Sequence, residues 1–397
     1  MGIYSFSIKK FLAFTFLIIF LTTTACGASP SAPAQPAEST QAQVQIQPSE
    51  AAEATKAPEP TKTPEPTSTP EPTSTPEPTA TAVPKPIGLS RDNPYSRADL
   101  VSAPNWDIQI VEVKEGEEAW QDLLAANQFN QPAPEGMEYI LIKIRAKPTY
   151  TDNDEHSISS CDFEITGDRL VNNNCFSALV VVPDPQLDAK LYAGGETEGW
   201  VAFLMGQGET NLILVFDESY DYEPENRRYI AIDDGASIEI SPDLAAIKPT
   251  DAGKERNEPA PITEIVRTDD WEISVIEVIR GEEAWKMVLE ANQFNDPPKD
   301  GFEYIAVKVH VRNIGNDNNP SSMDGLYFKS TGSADVLYDS PFMVDPNPPL
   351  SASLYPGGES EGWVILEAAV GETEMKLVFD PLFDFSGESR RFISLEP

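Results

Sequence analysis

The chain carries 65 carboxylates but only 2 histidines and 3 cysteines in 397 residues, so the chemistry within reach is that of oxygen ligands and carboxylate acids and bases. Zinc centres of the Cys/His kind draw on a larger set of soft ligands. Ser-His-Asp or Cys-His catalysis needs an imidazole oriented by a third group, and neither histidine has that setting. His156 lies in a polar loop, and His310 falls on the Lys/Arg face of a strand, where the first half of the chain has Arg145. Both read as solvated surface side chains. Asp152, Asp154 and Glu155 crowd one acidic loop, matched later by Asp317 among Asn316, Asn318 and Asn319, and hard oxygen ligands suit calcium. The loop lacks the glycine and distal glutamate of an EF-hand, so these three are weak calcium candidates, and no metal centre or cofactor is assigned. Asp217 and Asp221 recur as Asp380 and Asp384, each pair followed by Arg227-Arg228 or Arg390-Arg391; loop capping and surface ion pairing account for them. No catalytic residue can be named. A net charge of −37 excludes nucleic acid as a partner, since phosphate neutralisation requires a basic face.

The remaining reactive side chains are the cysteines, and the first of them belongs to an export signal. Lys9 and Lys10 precede an apolar run from Phe11 to Leu21, too short to span a bilayer comfortably as a permanent helix. Thr23-Thr24-Ala25-Cys26-Gly27 follows and resembles a bacterial lipoprotein box, which implies cleavage after residue 25 and lipidation of Cys26. The next 60 residues, to Pro86, hold 14 of the 36 prolines and no aromatic residue, so residues 26–86 cannot bury a core. Thr63-Pro64-Glu65-Pro66-Thr67-Ser68 repeats in phase at Thr69 and Thr75 and favours extended polyproline geometry, a disordered stalk with a reach of roughly 190 Å at about 3.1 Å per residue.

Beyond the stalk the sequence repeats. Trp106 to Arg145 aligns with Trp271 to His310 at 21 identities in 40 positions. Gly116-Glu117-Glu118-Ala119-Trp120 returns as Gly281-Glu282-Glu283-Ala284-Trp285, and Asn127-Gln128-Phe129-Asn130 as Asn292-Gln293-Phe294-Asn295. Later, Leu191-Tyr192-Ala193-Gly194-Gly195-Glu196 returns as Leu354-Tyr355-Pro356-Gly357-Gly358-Glu359. Two homologous domains follow, residues 87–245 and 259–397, joined by a linker at 246–258.

Within each copy the period is two. Ile140, Ile142 and Ile144 share one strand face, as do Ile305, Val307, Val309 and Val311, the mark of a half-buried strand. The apolar phase slips at Val111 and Val113 and again at Ile276 and Val278, which predicts a β-bulge or a strand that changes sheets. Further strands are expected at Thr197 to Met205, Leu212 to Phe216 and Arg227 to Ile232. One helical stripe interrupts: Trp120, Leu123, Leu124 and Asn127, repeated as Trp285, Val288, Leu289 and Asn292, a short helix stopping at Asn127 and packing on the sheets. Cys161 and Cys175 flank the turn Thr166-Gly167-Asp168-Arg169 at nearly equal distances, so antiparallel pairing would set them opposite one another and form a disulfide in an exported protein. The second copy has Leu326 and Ser340 there.

The signal, the stalk, the Trp-x-Ile strands, Gly136-Met137-Glu138-Tyr139 and the Gly-Gly-Glu-x-x-Gly run at Gly194-Gly195-Glu196 resemble the telokin-like, immunoglobulin-like extracellular domains of bacterial lipoproteins. Gly301-Phe302-Glu303-Tyr304 and Gly357-Gly358-Glu359 carry the same resemblance in the second copy. It implies an all-β protein: two tandem immunoglobulin-like antiparallel β-sandwiches, each with a short inserted helix. It transfers no catalytic residues, and fold analogy supplies no function. Tyr139, Trp200, Tyr304 and Trp363 fall on polar strand faces, opposite core positions such as Val364 and Leu366, and are the candidate binding residues for a glycan or an envelope or surface protein. The inserted helix competes with this reading, because its stripe must cover something. The expectation is a non-enzymatic binding or scaffolding module, anchored by lipid to the outer face of the cytoplasmic membrane and bivalent if the aromatic faces are open. A two-carboxylate hydrolase and a purely structural spacer are the alternatives.

Overall fold

The structure is a computed structural model describing residues 85–218, 223–382, 384 and 386–396. The expected export signal, Cys26, nearly all of the expected stalk and Asp221 lie outside these residues. The described residues form one compact unit.

Its architecture is all-β. In the first copy of the repeat, β1 (Val101–Ser102), β2 (Trp106–Glu115), β3 (Met137–Pro148), β4 (His156–Ser159), β5 (Phe163–Thr166), β6 (Asp188–Leu191), β7 (Thr197–Gly206), β8 (Ile213–Phe216) and β9 (Arg228–Ala231) form antiparallel sheets ordered β1-β2-β3-β7, β5-β8-β9 and β4-β6. The second copy has β10 (Val266–Arg267), β11 (Trp271–Arg280), β12 (Phe302–Asn313), β13 (Ser321–Asp324), β14 (Phe328–Thr331), β15 (Leu337–Asp339), β16 (Ser351–Leu354), β17 (Glu359–Ala369), β18 (Lys376–Phe379) and β19 (Arg391–Ser394). Their sheets run β10-β11-β12-β17, β15-β14-β18-β19 and β13-β16.

Alternation decides which side chains meet between the sheets. Ile140, Ile142 and Ile144 of β3, with Val201 and Phe203 of β7, face Phe163, Leu214 and Phe216 across the first core. Ile305, Val307, Val309 and Val311, with Val364 and Leu366, fill the second with Phe328 and Phe379. The expected phase slip is a bulge in both copies, between Ile110 and Glu112 against β3 and between Val275 and Glu277 against β12. One unpaired residue, Val111 or Ile276, turns outward and the next apolar positions regain the inner face.

The inserted helices are α1 (Gly116–Ala126) and α2 (Glu282–Ala291). Asn127 ends α1, its backbone N–H donating to the Leu123 carbonyl at 3.0 Å. The buried stripe is rotated from the one expected: Ala119 and Leu123 face inward, as do Ala284 and Val288, while Leu124 and Leu289 turn outward.

Cys161 and Cys175 form a disulfide. Beside it Ile165 and Asn173 exchange two backbone hydrogen bonds of 2.8 Å, so the chain folds back across the Gly167 turn. In the second copy a regular ladder replaces the bond: β15 pairs with β14 over Lys329–Asp339, Ser330–Tyr338 and Thr331–Leu337. Closing a loop of this length is worth about 3 kcal/mol, so reduction should destabilise the first copy by that order. Hydrogen exchange is expected to accelerate in residues 163–182 on reduction and to stay unchanged in β14 and β15; equal protection in both redox states would contradict this.

The copies meet at a buried polar junction. Val171 bridges Leu354, the Asn172 N–H donates to Ser353 O (2.8 Å) and the Tyr355 N–H to Leu170 O (2.9 Å), extending the β16 edge with first-copy backbone. The Arg91 guanidinium lies 3.9 Å above the Tyr355 ring, and both side chains are fully buried. Arg227 pairs with Asp217 (2.8 Å) and reaches across to Asn319 Oδ1 (2.9 Å). Arg91 donates through Nε to Asn318 Oδ1 at 3.4 Å, while its Nη1 and Nη2 have no hydrogen-bond partner among the described residues. Stacking on the ring therefore holds most of this buried charge.

Candidate functional site

The aromatic face proposed from strand alternation is covered. Trp200 and Trp363 are 7% and 8% exposed, and Tyr139 and Tyr304 are buried too. Ala119 and Leu123 of α1 pack on Tyr139, Leu141, Trp200 and Ala202, and Ala284 and Val288 of α2 pack on Tyr304 and Trp363. Trp120 stacks on Tyr139 at 6.2 Å, and the Tyr139 hydroxyl donates to Gln131 O. Tyr304 OH donates to Asp296 O in the same way. Burial pushes both phenols up from their ordinary pKa. These four residues are core, and the bivalent open face is corrected: a helix that buries Ala119 and Leu123 needs a floor, and the tryptophans supply it.

A second element completes the cover. Residues 176–182 run as a strap beside the helix, held by one carboxamide: Asn130 donates to Leu123 O and Val181 O (both 2.8 Å) and accepts from Val181 N–H (2.9 Å). Asn295 makes the same three bonds to Val288 and Val344. This is the role of the repeated Asn-Gln-Phe-Asn run: its last residue is buried and pins the strap to the helix end.

Between the strap, the end of α1 and the disulfide turn, the first copy has a cleft of about 690 Å³. Its floor is Trp200, Val201 and Ala202. Phe129 and Phe176 stand on the rim, 76% and 71% exposed, with Leu179 more exposed still. Asn127, Gln131, Ser159, Ser160 and Gln186 supply neutral hydrogen-bonding groups, and among the described residues Asp188 is the one charged lining side chain. Both disulfide cysteines line the wall. Sequence patterning missed Phe129 and Phe176; for Phe129 the available signal was an aromatic two residues after the helix stop at Asn127, where no core periodicity calls for one.

The corresponding cleft in the second copy is narrower, about 160 Å³, and Asp324 and Asp345 line it with Phe342. Burial, with the nearby Asp324, pushes the Asp345 carboxyl up to about 6. The folded state therefore holds a proton more tightly than the unfolded chain, and the stability present below the unfolded value near 3.8 is lost as pH rises toward 6. Asp345→Asn should raise stability at pH 8 by about 1 kcal/mol, after discounting for partial exposure, and leave it nearly unchanged at pH 4. Urea midpoints at the two pH values read this, and equal shifts at both would contradict it.

The remaining polar candidates are engaged elsewhere. His156 contacts Asp152 (2.8 Å) and stacks on Tyr150, while His310 lies 3.4 Å from Glu359. Asp154 N–H donates to Asp152 Oδ1, and Glu155 pairs with Lys190. Asp152, Asp154 and Glu155 thus do not converge, and no cluster able to hold a metal occurs among the described residues. Asp380 pairs with Arg390 (2.9 Å) and Lys329 (3.2 Å). Asp384 accepts from the Ser386, Gly387 and Ser389 backbone, and its hydrogen bond from the Ser386 hydroxyl leads the effects holding it far below the usual carboxylate range.

No helix among the described residues is long and apolar enough to cross a membrane. Neither a protein-family model nor a curated protein matches the chain. Among solved structures it is similar over 34% of its length to ycdA of Bacillus subtilis, a candidate lipoprotein, at 15% identity and a TM-score of 0.26; it spans 38% of that chain. It is also similar to the yjhA protein of Bacillus subtilis over 34% of its length and 98% of that chain, at 14% identity and a TM-score of 0.25.

Proposed function

We propose that the protein is a lipid-anchored surface module that binds without catalysis, and that its site is the first-copy cleft. The observation carrying this reading is one cleft of about 690 Å³, within the size range of small-ligand sites, that joins exposed Phe129 and Phe176 to a nearly uncharged rim of amides and hydroxyls. Aromatic faces beside neutral hydrogen-bonding groups suit a neutral glycan, whose apolar C–H faces stack while its hydroxyls exchange hydrogen bonds. The lipoprotein box at Cys26, the Thr/Pro stalk and the telokin-like resemblance in two tandem copies support display at the outer face of the membrane. With its narrow counterpart in the second copy, the molecule is monovalent at this site.

A glycan array probed with the full chain tests the reading. Binding to neutral oligosaccharides is expected to fall about tenfold in Phe129→Ala and again in Phe176→Ala, each worth about 1–2 kcal/mol of exposed aromatic contact. A blank array, together with capture of envelope protein that survives both substitutions, would overturn it. Intact mass of membrane-extracted protein reads the anchor, which requires acylated Cys26 as the first residue.

A further inference from the structure

The junction between the copies is built from two unlike faces, and the molecule carries a second, unpaired set of both. On the donor face of the first copy, Arg91 corresponds to Arg256, Leu170 to Asp335 and Arg227 to Arg390. The backbone supports this: Tyr229 N–H donates to Gly88 O as Phe392 N–H does to Gly253 O, and Leu170 and Asp335 share a left-handed φ of 62° and 60°. On the acceptor face, Tyr355 corresponds to Tyr192, Asn318 to Asn153 and Asn319 to Asp154.

The paired set is buried or half-buried and the unpaired set is open. Tyr355 is fully buried under Arg91, whereas Tyr192, in the same Leu-Tyr-x-Gly-Gly run, is 62% exposed. Arg256 is exposed and held by its neighbour Asp335. Val336 and Leu337, beside Asp335, are about half exposed, where the first copy buries part of Val171 against the second core. Arg390 keeps its pair with Asp380, as Arg227 does with Asp217.

We propose that these open faces join two copies of this chain head to tail, with Arg256 of one molecule stacked over Tyr192 of the next. The contact repeats the internal junction. Arg390 would meet Asp154, a carboxylate where the internal junction has Asn319, so attraction at that point increases. Because the two faces differ, the contact is heterologous and leaves a free face at each end, which propagates a row rather than closing a dimer. The net charge of −37 opposes assembly at low ionic strength, and added salt relieves that repulsion.

Sedimentation velocity of the chain starting at residue 26 and carrying Cys26→Ser, run over a range of concentration and salt, tests this. Average mass is expected to climb beyond one chain with concentration. Tyr192→Ala and Arg256→Glu each should stay monomeric, both being exposed positions whose circular dichroism melts serve as folding controls. Mixed in equal amounts, they should form dimers and nothing larger, because one supplies the intact donor and the other the intact acceptor. A monomer under every condition, association that survives either variant, or a mixture that fails to pair would each overturn the proposal.

Discussion

Gly199→Ala is expected to cost about 4 kcal/mol, the range of severe overpacking against backbone. A Cβ at this position would lie 2.4 Å from Leu187 N and 2.5 Å from the Gln186 carbonyl carbon. The segment it strikes cannot drift away, since Trp200 N–H donates to Pro185 O (2.9 Å) and Leu187 N–H to Trp200 O (3.1 Å). Gly362 stands in the same relation to Leu350 N, also 2.4 Å away. This contact explains the last glycine of the Gly-Gly-Glu-x-x-Gly run: it lets a loop lie flat beside the strand that carries the tryptophan. Gly194, in the same run, has open space around it and only a φ of +85° to protect, so Gly194→Ala should cost about 1 kcal/mol. Denaturant midpoints of the two variants decide the matter; equal losses would show that backbone conformation, not close approach, selects glycine in this run.

Tyr355→Ala should cost about 4 kcal/mol, because it removes a fully buried ring and strips Arg91 of the surface that holds its charge. Tyr192→Ala, at the matching exposed position, should change stability by less than about 0.5 kcal/mol. The same comparison reads cooperativity. Without Tyr355 the two copies are expected to unfold in separate steps, visible as two transitions by calorimetry. A loss in Tyr192→Ala as large as in Tyr355→Ala would refute this account of the junction.

These pairs mark how far the sequence could be read. Strand alternation is local, so Ile140 to Ile144 and Ile305 to Val311 announce their faces, and the repeated slip at Val111 and Ile276 announces a bulge. The disulfide follows from spacing about a turn. The cover over Trp200 does not, because the strap at 176–182 has no period and is positioned by two hydrogen bonds between Val181 and a distant Asn130. The cleft inherits that difficulty, since its rim is assembled from a helix end, a strap and a turn. The junction was illegible for another reason: Tyr192 and Tyr355 sit in nearly identical runs, and only the neighbour that docks on one of them makes their environments opposite.

Each copy begins with a short segment lying parallel to its own last strand. Tyr95 pairs in parallel with Ile230, through Tyr229 N–Gly88 O, Tyr95 N–Tyr229 O and Ala231 N–Tyr95 O bonds of 3.0, 2.8 and 2.8 Å. Ala260 does the same with Ile393, through Phe392 N–Gly253 O, Ala260 N–Phe392 O and Ser394 N–Ala260 O bonds of 2.7, 2.9 and 2.8 Å. In mechanical terms this is a clamp. Tension applied between the leading end of a copy and the chain leaving its last strand pulls two parallel strands in opposite directions. The three bonds are then sheared together, whereas an antiparallel hairpin pulled at its open end would unzip them one at a time. A copy loaded between its leading end and the chain leaving its last strand would therefore resist extension first through the three bonds around Tyr95 or Ala260.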